Sequence, residues 1–156
     1  MDLLNQVYTA QSVASATGTT SKQITDWCNQ GQIMGQRKPL GKGRRREFTF
    51  FNVMEVAGAV ALMGIGIKSP ADAFNAASKF AHIGQGGSGW VGDDKRPTPE
   101  RWPGLPHHHT EGETFLIVSG DMARTVLSVS GKIDTYKPFP MHTRPMGFIA
   151  LNVSEV

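Results

Sequence analysis

The sequence predicts an α+β fold, with helices in the first half of the chain and a small antiparallel sheet at its end. Three observations support this prediction. Apolar residues recur at helical spacing through residues 1–83, glycine and proline are concentrated in residues 84–112, and short runs rich in β-branched residues occupy residues 113–156. We therefore expect a helical domain, then a linker or long loop, then a small β segment that serves dimerisation or another interaction.

The first periodic segment predicts a short helix near the N-terminus. Thr9 can cap this helix, and Thr17-Gly18 would end it. Its short apolar face would consist of Val13, Ala14 and Ala16.

A second short helix is expected directly afterwards. The segment Thr19-Thr20-Ser21 offers a cap, and Gly31 would stop the helix. Ile24, Trp27 and Cys28 follow at positions i, i+3 and i+4, the spacing of one buried helical face. Two short helices joined by a tight turn that contains glycine form a helix-turn-helix pattern.

The chain then becomes basic. Turn-forming residues within 37–48 predict a hairpin with a mobile tip, and Phe48, like Trp27, is expected to pack in the core. Residues 1–68 hold eight Lys/Arg against four Asp/Glu, so the positive charge of the protein lies in this half. A run of basic residues is either a solvated loop or a phosphate-binding loop. The run consists of Arg37, Lys38, Lys42, Arg44, Arg45 and Arg46.

Two further helices complete the predicted helical half. The third begins near Asn52 and ends in Met63–Ile67; its apolar positions are Val53, Val56, Ala57, Val60 and Ala61. Ser69-Pro70 supplies a cap and a first-turn proline for the fourth helix, over about residues 71–82. The predicted buried side of the fourth helix is Ala73, Phe74, Ala77 and Phe80.

The last part of the chain predicts a four-stranded antiparallel β-meander. Such a small sheet is marginal unless something covers its apolar face. We expect it to pair with its counterpart in a second chain or to pack on that chain's helices; packing on its own fourth helix is the alternative. The predicted strands are Phe115–Val118, Ala123–Val129, Ile133–Phe139 and Phe148–Val153.

The order of motifs over roughly residues 8–80 resembles the MerR family of winged-helix DNA-binding domains. The segments that carry the resemblance are Tyr8–Ala14, Thr17–Thr20, Trp27 with Gly31–Ile33, Gly43–Arg46 leading to Phe48-Thr49, and Leu62–Ile67. The resemblance implies a winged helix-turn-helix of about four helices within residues 1–83, and DNA binding in a bacterium or phage. The long dimerisation helix of that family is replaced here by the Gly/Pro stretch and the β segment. Metal or drug sensing is therefore not implied.

Candidate DNA contacts lie early on the second helix and in the basic hairpin. Gln pairs with adenine and Lys with guanine, while arginines on a glycine-flanked turn suit phosphates or a minor groove. The candidate DNA-binding residues are Thr20, Ser21, Lys22, Gln23, Thr25, Arg37, Lys38, Lys42, Arg44, Arg45 and Arg46.

We find no catalytic constellation in the sequence and expect neither a metal nor a cofactor. Adjacent histidines such as His107–His109 rarely converge on one ion. The acidic pairs near Asp93 and Glu111 have no nucleophile or phosphate-binding motif beside them. A single cysteine, Cys28, and an N-terminus without a signal-peptide pattern favour the cytoplasm, and no membrane partner is expected.

The leading functional hypothesis is a sequence-specific transcription regulator that binds double-stranded DNA as a homodimer, because one recognition helix reads only one half-site. No small-molecule effector is indicated. The alternative is an excisionase-like recombination directionality factor or another architectural DNA-binding protein, since excisionases and small phage regulators share a similar winged helix. A third hypothesis is a protein-interaction module that does not bind DNA.

Overall fold

The computed structural model describes residues 4–36, 45–85, 101–107, 112–129 and 148–155. Over these ranges the chain is α+β, as the sequence predicts, with four helices and a three-stranded antiparallel sheet. None of the helices in these ranges is long and apolar enough to cross a membrane. The elements are α1 (Ala10–Thr17), α2 (Ser21–Asn29), α3 (Phe50–Gly64), α4 (Pro70–Ala81), β1 (Gly112–Ser119), β2 (Met122–Val129) and β3 (Ile149–Asn152).

Helix α1 begins and ends where its local residues predict. The hydroxyl of Thr9 accepts the backbone N–H of Ser12 at 3.1 Å, which satisfies one free donor of the first turn. Gly18 follows the helix with a φ of +67°, a left-handed conformation that glycine adopts without strain. Val13 and Ala14 are buried as expected, but Ala16 is exposed, so the apolar face of this short helix is narrower than predicted.

Helix α2 starts with a reciprocal capping box. Thr20 accepts the backbone N–H of Gln23, and the Gln23 side chain accepts the backbone N–H of Thr20. Ile24, Trp27 and Cys28 are buried, which confirms the predicted face. α2 ends at Asn29 and Gly31 follows with a φ of +72°.

Helix α3 is predicted correctly in position but not in its buried face. Of the five apolar positions that the spacing picked out, only Val56 is buried, and Ala59 and Leu62 complete the apolar side. Almost every position of this helix is apolar, so spacing alone could not select a face. Two polar residues determine which face of α3 is buried, because Asn52 and Glu55 turn inward and hydrogen-bond to the backbone of Met34 and to the side chain of His82, respectively.

Helix α4 follows the prediction closely. Ser69 caps it, Pro70 occupies the first turn, and its buried side includes Phe74 and Phe80. The ring of Phe74 meets the ring of Trp27 edge-on, with 5.1 Å between centroids. Helix α4 therefore joins α2 and α3 on one side to the sheet on the other.

The sheet has the order β2-β1-β3, so β1 is its central strand and pairs with both others. This order differs from the predicted meander, in which consecutive strands would be neighbours. Strand β1 takes the centre because it carries the most buried apolar run, Leu116–Val118, and a central strand is covered on both edges. The predicted strand Ile133–Phe139 lies outside the described residues.

One core joins the helices to the sheet. The buried cluster that contains Ile24, Val56 and Phe80 also contains Leu116 and Val118 of β1. The sheet thus packs its apolar face against α4 of its own chain, the alternative to burial in a second chain.

Part of the predicted linker is an ordered segment that packs on the end of α4. Residues 101–107 begin with a backbone bridge between Gln85 and Arg101. The Arg101 side chain is almost completely buried, and its guanidinium lies 5.2 Å from the centre of the Phe80 ring. Burial lowers the pKa of Arg101 to about 10, which leaves the group charged at neutral pH. Arg101 donates to the backbone oxygens of Phe80, Ile83, Trp102 and Leu105 and to Oε1 of Gln85.

Two side chains connect this segment to the sheet. Gln85, which accepts from Arg101, donates through Nε2 to the backbone oxygen of Thr125 in β2 at 3.0 Å. Thr114 of β1 accepts the backbone N–H of His107 at 2.8 Å and lies 3.0 Å from Nδ1 of the same histidine. The end of α4 is therefore tied to β1 and β2 by polar contacts as well as by the apolar core.

Candidate nucleic-acid interface

The N-terminal part of α2 presents a polar surface to solvent. Lys22, Gln23 and Thr25 are exposed, as is the cap Thr20, while Ser21 is half-buried. The structure thus places all five of the predicted α2 residues on or beside one accessible helical end. These side chains are therefore open to an external partner.

Helix α2 is tied to α1 at this surface. The Ser21 hydroxyl donates to Oε1 of Gln11 at 2.6 Å, and the Thr25 hydroxyl donates to the backbone oxygen of Ser21 at 2.8 Å. Both hydroxyl protons are therefore used inside the protein. Sequence reasoning did not include Gln11, because nothing local indicates that it meets a residue ten positions later.

The capping box occupies the Gln23 side chain. Its Oε1 accepts from the backbone N–H and from the hydroxyl of Thr20, both at 3.0 Å. A bidentate contact with adenine needs both the oxygen and the nitrogen of the amide. While the box is formed, Gln23 has only Nε2 to offer a base.

Lys22 is the one basic residue of α2, and it is exposed. Its ammonium lies 3.9 Å from a carboxylate oxygen of Asp26, and the two side chains are 88% and 50% exposed. Such a loose, solvated pair contributes little to stability. Lys22 can exchange Asp26 for another anion at small cost.

A groove of about 420 Å³ lies between the starts of α1 and α2 and the last two residues of the basic run at positions 37–46, which we call the basic segment. The groove brings Arg45 and Arg46 alongside the α2 surface. We call it the polar groove because six of its seven lining residues are of polar type, although most of the surface that they expose to the groove is apolar. The lining residues are Thr9, Ala10, Gln11, Ser21, Thr25, Arg45 and Arg46. Four other predicted contacts, Arg37, Lys38, Lys42 and Arg44, lie outside the described residues.

The two arginines of the groove differ in their surroundings. Arg45 is exposed, and within the described residues no hydrogen bond or ion pair engages its side chain. Arg46 is half-buried and donates to the backbone oxygen of Gln36 at 2.5 Å and to Oδ1 of Asn29 at 3.0 Å. Arg45 is thus the side chain that can meet an external anion without losing an internal contact.

The described residues on both sides of the basic segment are fixed on the core. On the N-terminal side, the backbone N–H of Met34 donates to the two oxygens of Glu55 at 3.1 and 3.2 Å. Asn52 donates to the Met34 oxygen at 3.0 Å. On the C-terminal side, Phe48 is buried and exchanges two backbone hydrogen bonds with Tyr8, at 2.8 and 2.9 Å.

The carboxylate of Glu55 is buried and has a further partner. Its Oε2 lies 2.9 Å from Nε2 of His82, at the end of α4. Glu55 therefore connects the start of the basic segment to the C-terminal end of α4. Sequence reasoning missed this role, since a glutamate in an apolar helix gives no indication of its partner.

Two observations on the described residues concern metal binding and the reactivity of the cysteine. They contain no group of three or more His, Cys, Asp or Glu that could hold an ion. Cys28 is buried, and burial raises the pKa of its thiol, an effect that nearby Arg46 partly offsets. A buried thiol with a raised pKa is a poor nucleophile.

Comparison of the chain with protein-family models, with curated proteins and with solved structures finds no match.

Proposed function

We propose that this protein binds double-stranded DNA, with α2 in the major groove and the basic residues 37–46 against the phosphate backbone. The observation that carries the proposal is the polar groove, in which the exposed Arg45 lies beside the solvent-facing start of α2. Backbone contacts of this kind position a protein on DNA, and side chains of the helix then read the base edges.

The charge distribution supports the same proposal. The first 68 residues carry eight Lys/Arg and four Asp/Glu, and six of the eight basic residues fall between positions 37 and 46. Phosphate neutralisation supplies much of the affinity of a DNA-binding protein and makes it strongly dependent on salt. We assign base reading to Lys22 and backbone contact to Arg45; the winged helix-turn-helix implied by the MerR resemblance is part of the proposal.

The proposed role is transcription regulation as a homodimer, since one recognition helix reads one half-site. Because α4 covers the apolar face of the sheet, this dimer rests on half-site geometry and not on an uncovered sheet. Footprinting on genomic DNA separates the two DNA-binding hypotheses. A regulator protects a palindromic site at a promoter, whereas an excisionase-like factor protects direct repeats at an attachment site and bends them.

The central experiment measures duplex binding by fluorescence anisotropy over a range of salt concentrations. Arg45→Ala is expected to weaken binding to all duplexes and to reduce the slope of log affinity against log salt by about 0.9, the loss of one phosphate contact. Arg124→Ala removes another exposed arginine, on β2, and is the matched control, with no expected change. Absence of salt-dependent binding by the wild-type protein would favour an interaction module and reject the proposal.

A further inference from the structure

The two arginines of the polar groove are adjacent in sequence but differ in their contacts. The side chain of Arg45 makes no hydrogen bond or ion pair within the described residues, whereas the guanidinium of Arg46 bridges two separate parts of the chain. One nitrogen, Nη1, donates to the backbone of Gln36, just before the basic segment. The other, Nη2, donates to Asn29, the last residue of α2.

A second hydrogen bond connects the residues on the two sides of the basic segment. Nε2 of Gln36 donates to the backbone oxygen of Glu47 at 2.7 Å, so residues on the two sides of the basic segment hold each other. Within the described residues these two sides form no β-ladder, and side chains provide the connection instead. We call the four residues Asn29, Gln36, Arg46 and Glu47 the Arg46 brace.

We infer that Arg46 is a positioning residue, which braces the base of the basic segment on the end of α2 and thereby holds Arg45 beside the start of that helix. A guanidinium presents its donors in a fixed plane, so one side chain can fix the relative positions of two acceptors. Holding a binding segment in place before the ligand arrives reduces the ordering cost of association. The inference rests on the proposed DNA binding for its functional consequence but not for its geometry.

The alternative is that Arg46 is itself a phosphate contact. The two roles make opposite predictions for Asn29, which has no positive charge. If Arg46 braces the segment, loss of Asn29 loosens it and weakens DNA binding. If Arg46 contacts phosphate, loss of Asn29 releases the guanidinium and leaves binding unchanged or tighter.

The test therefore uses Asn29→Ala, with Gln30→Ala as control. Both residues are exposed and lie at the end of α2, and Ala is a good helix former. We expect Asn29→Ala to weaken duplex binding about three- to tenfold, with an unchanged salt slope and an unchanged melting temperature. Gln30→Ala is expected to bind as the wild type does.

Arg46→Lys extends the test, because lysine keeps the charge and binds phosphate well but cannot bridge two acceptors in one plane. We expect Arg46→Lys to weaken binding as Asn29→Ala does. Wild-type affinity in both variants, or a salt slope reduced by about 0.9 in Arg46→Ala, would overturn the inference.

Limited trypsin digestion tests the brace without DNA. We expect Asn29→Ala to accelerate cleavage within residues 37–46 several-fold, while cleavage elsewhere and the Gln30→Ala control stay at the wild-type rate. Unchanged cleavage would reject the brace even if the protein binds DNA. Faster cleavage in a protein that does not bind DNA would reject the proposed function and leave the brace standing.

Discussion

Two regions of this molecule are rich in polar side chains, and they differ in whether some of their charged side chains stay open to solvent. In the polar groove, Arg45 faces solvent. Lys22, which lies close to the groove on α2, faces solvent as well. At the C-terminal end of α4, Glu55 and Arg101 are buried and bonded to their own chain. Among the described residues no buried side-chain nitrogen or oxygen lacks a hydrogen-bond partner.

Charge alone therefore does not distinguish a cation that is bonded inside the protein from one that is open to an external partner. Arg45 and Arg101 are the same residue type, and both lie in segments without regular structure. Backbone oxygens surround Arg101, whereas within the described residues none engages Arg45. Substitutions at the end of α4 should therefore change stability, and substitutions in the groove should change binding.

The largest expected effect is that of Arg101→Ala. Removing the guanidinium takes a donor from the backbone oxygens of Phe80, Ile83 and Leu105, of which Phe80 keeps the Gly104 N–H, and it empties the buried space beside the Phe80 ring. We expect a loss of about 3–5 kcal/mol in the free energy of unfolding, measured by urea denaturation, because several backbone oxygens lose a charged donor and the packing of a long buried side chain is lost. Arg101→Lys keeps a single cationic donor group and is expected to lose less.

Arg124→Ala is the control for that experiment. Arg124 is exposed on β2, and its removal should change the free energy of unfolding by no more than about 0.5 kcal/mol. A loss below about 1 kcal/mol in Arg101→Ala would contradict the structural role that we assign to Arg101.

Glu55→Ala has the next largest expected effect. It affects both regions, because Glu55 contacts Met34 before the basic segment and His82 at the end of α4. The change leaves the Met34 N–H and His82 without their acceptor, and we expect a loss of about 2–4 kcal/mol in the free energy of unfolding. Because Met34 precedes the basic segment, DNA affinity should fall as well, with the salt slope unchanged.

Two variants calibrate the Glu55 result. Glu55→Gln retains an oxygen acceptor and should lose less stability than Glu55→Ala. Glu47→Ala removes an exposed carboxylate and should be neutral within about 0.5 kcal/mol. Equal stability of Glu55→Ala and wild type would mean that the Met34 and His82 contacts contribute nothing.

The parts of the fold that the sequence predicts are those with local causes. Thr9, Thr20 and Ser69 each accept a backbone N–H three residues later, so helix starts can be found from neighbouring residues alone. The strand order could not be predicted, because pairing of β3 with β1 brings together Leu116 and Leu151, which are far apart in sequence.

The same division applies to the candidate site. The concentration of charge identifies Arg45 and Arg46 together, since composition is a local property. The contacts that distinguish Arg46 from Arg45 are made to Gln36 and to Asn29, 17 residues before Arg46, and no feature of the basic run itself indicates them. Arg101 has its acceptors at residues 80–85 as well as nearby, so the Gly/Pro-rich segment around it carries no sign of its burial.

The smallest expected effect concerns Gln23, which combines the exposure of a binding residue with the internal hydrogen bonds of a structural one. Gln23 is exposed on α2, as a base-reading residue would be, yet its Oε1 is bonded within the capping box. We expect Gln23→Ala to lower the free energy of unfolding by about 0.5–1 kcal/mol, measured by urea denaturation, because the first turn of α2 loses its reciprocal cap. Base preference in a binding assay over variant duplexes should be retained.

Lys22→Ala is the matched comparison, one residue away. Its ion pair with Asp26 is exposed, so stability should change by less than about 0.5 kcal/mol, while base preference should relax if Lys22 reads guanine. The opposite pattern, with unchanged stability and a selective loss at adenine-containing sites in Gln23→Ala, would mean that Gln23 leaves Thr20 when DNA binds. The capping box would then exist only in the free protein. Gln23 would count among the residues that read DNA, and Thr20 alone would cap the start of α2 in the complex.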